Sequence, residues 1–442
     1  MASGDVERDT IAAVATPPGR GGIGVVRVSG PRVPDIATAV LGRLPEERRA
    51  TMCSFHDGSG ERIDEGVALY FAAPRSYTGE PVLELQGHGG PVVLQAILAA
   101  CLDAGARVAE PGEFTRRAFL EGRMDLAQAE AVADLIDAAS REAARSALRS
   151  LTGEFSLAVG VVADQVVELR ALTEVMLDFP EEDVDSLDRG QAATHLDAIR
   201  QAMDDLLTKS RQGSLLRNGI HVVLAGRPNV GKSSLLNRLA GDERAIVTPI
   251  PGTTRDVLRE PIQIDGVPLI LVDTAGLRAS GDIVERIGIE RAHIELDRAD
   301  VVLAVFEAGD APVLEQVPTG TTRIDVYNKV DLMPGFLMPH GPHRAVAVSA
   351  KTGEGVDDLS KLILEAAGWA SSGEGTFLAR ERHLRAFESA RAHMEAAGRE
   401  MGRWELFAEE LRLAHLALGS VTGEFSADDL LGEIFGRFCI GK

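Results

Sequence analysis

Cysteine is scarce. Cys53, Cys101 and Cys439 are the only three in 442 residues, too few and too scattered for a disulfide framework or a four-cysteine zinc site. That usage predicts a reducing, cytoplasmic location. Aromatic residues make up 4% of the chain, so the core must be aliphatic. No uncharged run of about 18 apolar residues occurs, so no membrane span is expected. The first residues, MASGDVERDT, are acidic and carry no apolar stretch, so no signal peptide is expected either. Basic charge is in deficit: 46 Lys and Arg stand against 67 Asp and Glu, for a net charge of −21. This argues against a general nucleic-acid coat, which needs a broad basic face, while leaving room for a local basic patch.

What is present fits a soluble globular protein, with 45% hydrophobic and 26% charged residues. Its length suggests two to four domains. Residues 1–120 read as mixed α/β, with strand character in VALYFAA and VLELQGHGG and a helix in PVVLQAILAACLDAGA. His88 in that glycine-rich stretch has no second histidine at metal-ligand spacing. Residues 121–217 are rich in Ala, Leu, Glu and Arg at helical periodicity, interrupted by the acidic loop DFPEEDVDSLDRG. Residues 218–367 have βαβ texture, with the buried-strand runs HVVLAG, LILVD and VVLAVF. Residues 368–442 turn helical again, and Ser426 with Asp429 suggests a capping box for a last helix through Phe438. Helix, α/β unit, helix is the order expected when an α/β domain is inserted into a helical one.

Four short motifs fall in order within the α/β segment. Gly226-Arg227-Pro228-Asn229-Val230-Gly231-Lys232-Ser233 follows a strand and opens a helix, the context a phosphate-binding loop requires. Its backbone N–H groups, with Asn229, Val230, Gly231 and Ser234 nearby, can surround phosphates at a helix N-terminus. Lys232 would reach the β/γ-phosphates as a catalytic cation, and the Ser233 hydroxyl would bind Mg²⁺. Asp273-Thr274-Ala275-Gly276 follows LILVD; its Asp can hold Mg²⁺ through water and its Gly N–H can sense the γ-phosphate. Asn328-Lys329-Val330-Asp331 follows RIDVY, and Asp331 can accept from N1 and N2 of guanine, a donor pair adenine lacks. The backbone of Ser349-Ala350-Lys351 can read guanine O6. Together these predict a GTPase domain of the translation-factor-related class. Where Ras-like enzymes place a glutamine directly after D-x-x-G to orient water, this chain has Leu277, so another group must do so. The loop Thr248-Pro249-Ile250-Pro251-Gly252-Thr253-Thr254 precedes the second strand of this unit, where switch I belongs, with Thr254 as second Mg²⁺ ligand.

At this point the chain resembles the MnmE (TrmE) family of tRNA-modifying GTPases. The resemblance runs from ATPPGRGGIGVVRVSG through LELQGHGGP, PGEFTRRAFLEGRMDLAQAEAVADLIDA, IPGTTRDVLRE and DTAGLR to the terminal Cys439-Ile440-Gly441-Lys442. It implies a multi-domain α/β protein: a P-loop GTPase domain inserted in a helical domain, preceded by an α+β folate-binding and dimerisation domain. It implies a homodimer whose G domains meet in the GTP transition state around K⁺, held by Asn229 and the backbone of Thr248, Ile250 and Thr253. It implies Glu285 as the water-orienting carboxylate. It implies 5-formyltetrahydrofolate bound by Arg27, Glu84, Arg123 and Lys442, the position of Arg123 being often lysine in the family. The expected activity is GTP hydrolysis, together with the FAD-dependent partner MnmG, in modifying C5 of the wobble uridine of certain tRNAs.

Blander readings stand beside these. Asn229 can simply shape its loop, Glu285 can be a solvated helix face, and Arg27, Glu84 and Arg123 can be ordinary surface charges. Cys439 is read either as a small buried hydrophobe or, by its family position, as a participant in modification chemistry. Arg141, Arg145 and Arg149 recur every four residues, and with acids such as Glu142 between them the expected outcome is a solvated, salt-bridged face. The competing function is a ribosome-assembly GTPase switch of the Era or Der kind. The acidic balance and the Cys-Ile-Gly-Lys terminus disfavour it.

Overall fold

The computed structural model describes residues 9–178, 189–241, 259–273, 294–311, 321–370, 375–424, 428–436 and 438–441. These fall into two compact units, Met1–Ala133 with Gly419–Lys442, and Asp134–Leu418.

In the first unit six strands form a sheet in the order β3-β4-β5-β2-β1-β6. They are β1 (Ile11–Val14), β2 (Gly21–Ser29), β3 (Thr51–His56), β4 (Arg62–Phe71), β5 (Val82–Gly89) and β6 (Arg107–Val108). All pairings are antiparallel except β1 with β6. The helices α1 (Val33–Leu41) and α2 (Pro91–Asp103) lie in the sheet's connections. Their apolar residues, including Val33, Ile36, Leu94 and Ile97, share a core with Val26, Val28, Leu83 and Leu85 of the sheet. That core is aliphatic apart from Phe55 and the half-buried Tyr70, as the low aromatic content requires. Further along are α3 (Glu113–Leu120) and α4 (Leu126–Ile136).

Burial of Glu113 in this unit is offset by paired cations. Arg107 donates to both its carboxylate oxygens (2.8 and 2.5 Å), and Arg117 to Oε1 at 2.9 Å. Burial works against ionisation here, but these bonds win and hold the carboxyl below its ordinary 4.5. A lowered folded-state value stabilises above the unfolded value, and that stability is lost as pH falls through the folded one. Glu113→Gln should therefore destabilise this unit by about 1–2 kcal/mol at neutral pH, because the largely buried Arg117 and the exposed Arg107 each lose one carboxylate while Asp9 and Glu80 remain. The loss should vanish on acidification below pH 4.5. Hydrogen exchange in β1 and β2 against pH measures both; a pH-independent difference would discard the account.

The second unit holds α5 (Arg141–Leu151), α6 (Glu154–Asp178) and α7 (Arg189–Asn218), then a second six-stranded sheet, then α9 (Val356–Ala366), α10 (Glu381–Arg399) and α11 (Trp404–Thr422); α8 (Lys232–Gly241) lies within the sheet's connections. Its strands are β7 (Ile220–Ala225), β8 (Arg259–Ile264), β9 (Val267–Asp273), β10 (Val301–Glu307), β11 (Thr322–Asn328) and β12 (Arg344–Ala347), in the order β12-β11-β10-β7-β9-β8. Only β8 with β9 is antiparallel. The near-continuous apolar runs in β7 and β10 match central strands covered on both faces. This α/β sheet is inserted between helices that pack on each other: Arg211 of α7 pairs with Glu388 of α10 at 3.0 Å, and Arg200 donates to Met394 O at 2.8 Å. The fold class is therefore as expected, with an α/β unit carried inside a helical one.

Arg149 is salt-bridged, to Glu154 at 2.9 Å, in keeping with the expected salt-bridged face, and lies over the Phe377 ring, while Glu142 lies against Gly266 in the β8–β9 turn. One local expectation changes. The closing helix α12 is Asp428–Phe435 and stops before Phe438. Its last i−4 bond runs from Gly436 N–H to Gly432 O at 3.0 Å, and Phe438 turns back to pack on Phe435 with centroids 5.5 Å apart. Ser426 and the Asp429 side chain, the expected capping box, lie outside the described residues.

Candidate nucleotide-binding site

The site lies at the carboxyl ends of the parallel strands, where an open α/β sheet leaves a crevice. From β7 the chain enters the phosphate loop, then α8 begins at Lys232. Asn229 sits in the left-handed region at φ 65° and is exposed. Gly231 also has positive φ, at 94°, and a Cβ there would stand 2.2 Å from Nδ2 of Asn328, so no larger residue fits. Lys232 is buried, its Nζ donating to the carbonyls of Gly226 (2.9 Å) and Arg227 (2.8 Å). The loop is thus closed around its own ammonium group. Ser233 and Ser234 are exposed on the first turn of α8. Val230 is buried in the aliphatic core beneath the loop.

Asn328 is the joint between three loops. Its side chain is buried; Nδ2 donates to Val230 O at 2.9 Å, and Oδ1 accepts from the Ala350 N–H at 3.0 Å. Its role is bracing, which neither motif predicts alone. Lys329 turns the chain sharply at φ 67° and its Nζ pairs with Glu307 Oε2 at 2.8 Å. Asp331 then follows on a single turn of 3-10 helix, its Oδ1 accepting from Ser349 Oγ at 2.7 Å. Glu307 and Arg238, which donates to the carbonyls of Ala350 and Lys351, were missed by motif reading. An acid ending a strand and a base near a helix end carry no distinctive sequence signal.

Asp273 ends β9, and its side chain lies outside the described residues. So do Thr248, Pro249, Ile250, Pro251, Gly252, Thr253, Thr254, Thr274, Ala275, Gly276, Glu285 and Lys442.

A second cluster lies in the first unit. Arg27 of β2 and Glu84 of β5 are register partners, and Arg27 donates to Glu84 Oε1 from Nε (3.0 Å) and Nη2 (2.9 Å). The guanidinium stands 5.5 Å from the Tyr77 ring centroid and 5.8 Å from that of Phe114. It also donates to Gly441 O at 3.4 Å, a contact across 414 positions. Gly441 has φ 98°, and a Cβ would come within 2.6 Å of Val14 O, so the terminal motif needs glycine to lie against β1. Arg123 is exposed beside Gly79.

The three cysteines differ. Cys53 and Cys101 are buried, and burial pushes the Cys101 thiol up to about 12, so it carries no thiolate at neutral pH. Cys439 is exposed, against the buried-hydrophobe alternative, because its neighbour Phe438 takes the inward position and the Cys439 carbonyl faces the Gly112 N–H. Among the described residues no cluster of His, Cys, Asp and Glu could hold a metal ion by itself, and no helix is long and apolar enough to cross a membrane.

Two family profiles match the chain: MnmE helical domain over residues 126–439, and GTP-binding protein TrmE N-terminus over residues 10–123. It is 59% identical to a tRNA modification GTPase MnmE from Azoarcus sp. (strain BH72), covering 98% of each chain. It is 58% identical to the MnmE of Thiobacillus denitrificans, again over 98% of each. Among solved structures, the G domain of the T. maritima FeoB iron transporter is 28% identical and covers 34% of this chain and 98% of its own, with a TM-score of 0.26.

Proposed function

Since this chain belongs to the MnmE family of tRNA modification GTPases, we propose that it hydrolyses GTP in modification of the tRNA wobble uridine. The observation that carries this reading is the bracing of the phosphate loop, Asn328 and the Ser349–Lys351 turn into one frame. A frame that joins a phosphate cradle to a carboxylate suited to guanine fits GTP. The Era/Der alternative is not favoured, because the relatives match along the whole chain, outer segments included.

The finer assignments extend this proposal. Lys232 neutralises phosphate charge as the P–O bond breaks, and the loop N–H groups orient the chain of phosphates. The hydroxyls of Ser233 and Thr254 are hard oxygen donors of the kind Mg²⁺ takes. The exposed Asn229 amide, with carbonyls of Thr248, Ile250 and Thr253, would hold K⁺, which supplies positive charge where other systems insert an arginine. Glu285 would hold the attacking water. In the first unit the half-buried Arg27–Glu84 pair, flanked by Tyr77 and Phe114, suits a flat heteroaromatic ring with hydrogen-bonding edges. With Arg123 and Lys442 for an anionic tail, that fits a folate such as 5-formyltetrahydrofolate. We assign the protein as a homodimer acting with MnmG on tRNA, adding an aminomethyl or carboxymethylaminomethyl group at C5. Cys439 is the exposed thiol available to that chemistry.

Mass spectrometry of wobble nucleosides in a deletion strain tests the function; unchanged modified uridine would reject it. The cation assignment has its own check. GTP turnover in K⁺ should exceed that in Na⁺ by at least about tenfold, the scale of one lost charge contact in a transition state. Equal rates would remove K⁺ from the mechanism.

A further inference from the structure

Helix α8 carries a second cation whose partners bear on base recognition. Arg238 lies near its C-terminal end, where positive charge suits the helix dipole. Its Nε donates to Ala350 O at 3.0 Å and its Nη2 to Lys351 O at 2.6 Å. A rigid planar fork on two successive carbonyls fixes both peptide planes, which a lysine cannot do. In a trans peptide the carbonyl and the following N–H point in opposite directions. With the Ala350 carbonyl drawn to Arg238, the Lys351 N–H is aimed away from α8.

The neighbouring amides of this turn are occupied. Ala350 N–H goes to Asn328 Oδ1 at 3.0 Å, Thr352 N–H to Ser349 Oγ at 3.1 Å, and Gly353 N–H to Ser349 O at 2.8 Å. Among the described residues the Lys351 N–H has no hydrogen-bond partner. One donor in the turn is therefore left open, and its direction is set by Arg238.

We propose that Arg238 is a positioning residue for base selection, aiming the Lys351 N–H at the 6-oxo group of a bound purine. This rests on the guanine-nucleotide reading of the site. Two edges of the base are then read separately. Asp331 takes the donors at N1 and N2, and the Lys351 amide takes O6. A purine with a 6-amino group sets donor against donor there, so the contact loses its hydrogen bond. Arg238 stands in the last turn of α8, at the opposite end from the phosphate loop, so its effect belongs to binding and not to the chemical step.

The test is competition of GDP, IDP and ADP, the last at millimolar concentration, against a fluorescent GDP analogue on the full-length protein. Arg238→Ala should weaken GDP and IDP equally, about tenfold, the worth of one charge-assisted hydrogen-bond network at 1.4 kcal/mol per decade. The GDP:IDP ratio and the weak ADP binding should not move, and kcat at saturating GTP should stay within about twofold while KM rises. Arg238→Lys, able to reach one carbonyl, should recover part of the loss. Unchanged GDP affinity in Arg238→Ala overturns the proposal. So does an equal loss for ADP, which would mark general damage. If the alanine variant fails to fold, the lysine variant decides alone: an intermediate GDP:ADP ratio supports the assignment and a wild-type ratio rejects it. A wild-type protein that does not prefer GDP to ADP would instead sink the guanine reading itself.

Discussion

Alanine in place of Lys232 is expected to cut GTP turnover about a thousandfold, or ~4 kcal/mol of transition-state stabilisation. Two effects add. On the proposed reading the ammonium group meets the β/γ-phosphates, and it is buried, where charge acts through a lower dielectric than water. It also closes the phosphate loop through the carbonyls of Gly226 and Arg227, so its removal leaves two inward carbonyls unpaired. Single-turnover hydrolysis measures the loss. Thermal melting without nucleotide separates it from unfolding, since the aliphatic core under the loop, including Val230 and Leu235, is untouched. Residual turnover within about tenfold of wild type would exclude Lys232 from the chemistry.

Asp331→Asn should exchange base preference. Guanine offers donors at N1 and N2, and a carboxylate accepts both. An asparagine amide accepts one and sets its own N–H against the other, so GDP binding should fall about a hundredfold. Xanthine carries a carbonyl at C2, which the amide can donate to, so XDP should gain. The Ser349 hydroxyl, 2.7 Å from the carboxylate, can still donate to the amide oxygen, which keeps the side chain in place. Kd values for GDP and XDP on both proteins decide this. Unchanged GDP affinity would mean that Asp331 does not face the base. The Arg238 substitution should leave the N2 preference alone, so the two variants dissect two edges of one ring.

What could be read from the chain by itself was the chemistry carried by contiguous residues. The phosphate loop sits between a strand and a helix that its own apolar runs announce, and the buried-strand runs HVVLAG and VVLAVF could only be central strands. The insertion of an α/β unit between helices followed from the change in periodicity. These features are legible because local backbone preference and hydrophobic period act over a few residues. Tertiary structure decided the rest. Asn328 reaches Val230 across 98 positions, Arg238 reaches Ala350 across 112, and Arg27 reaches Gly441 across 414. Such bonds leave no periodic mark, because each partner alone is an ordinary polar residue on its own element. They form only once the sheet has closed the intervening loops and brought strand ends together, with burial of aliphatic side chains offsetting the entropy of that closure.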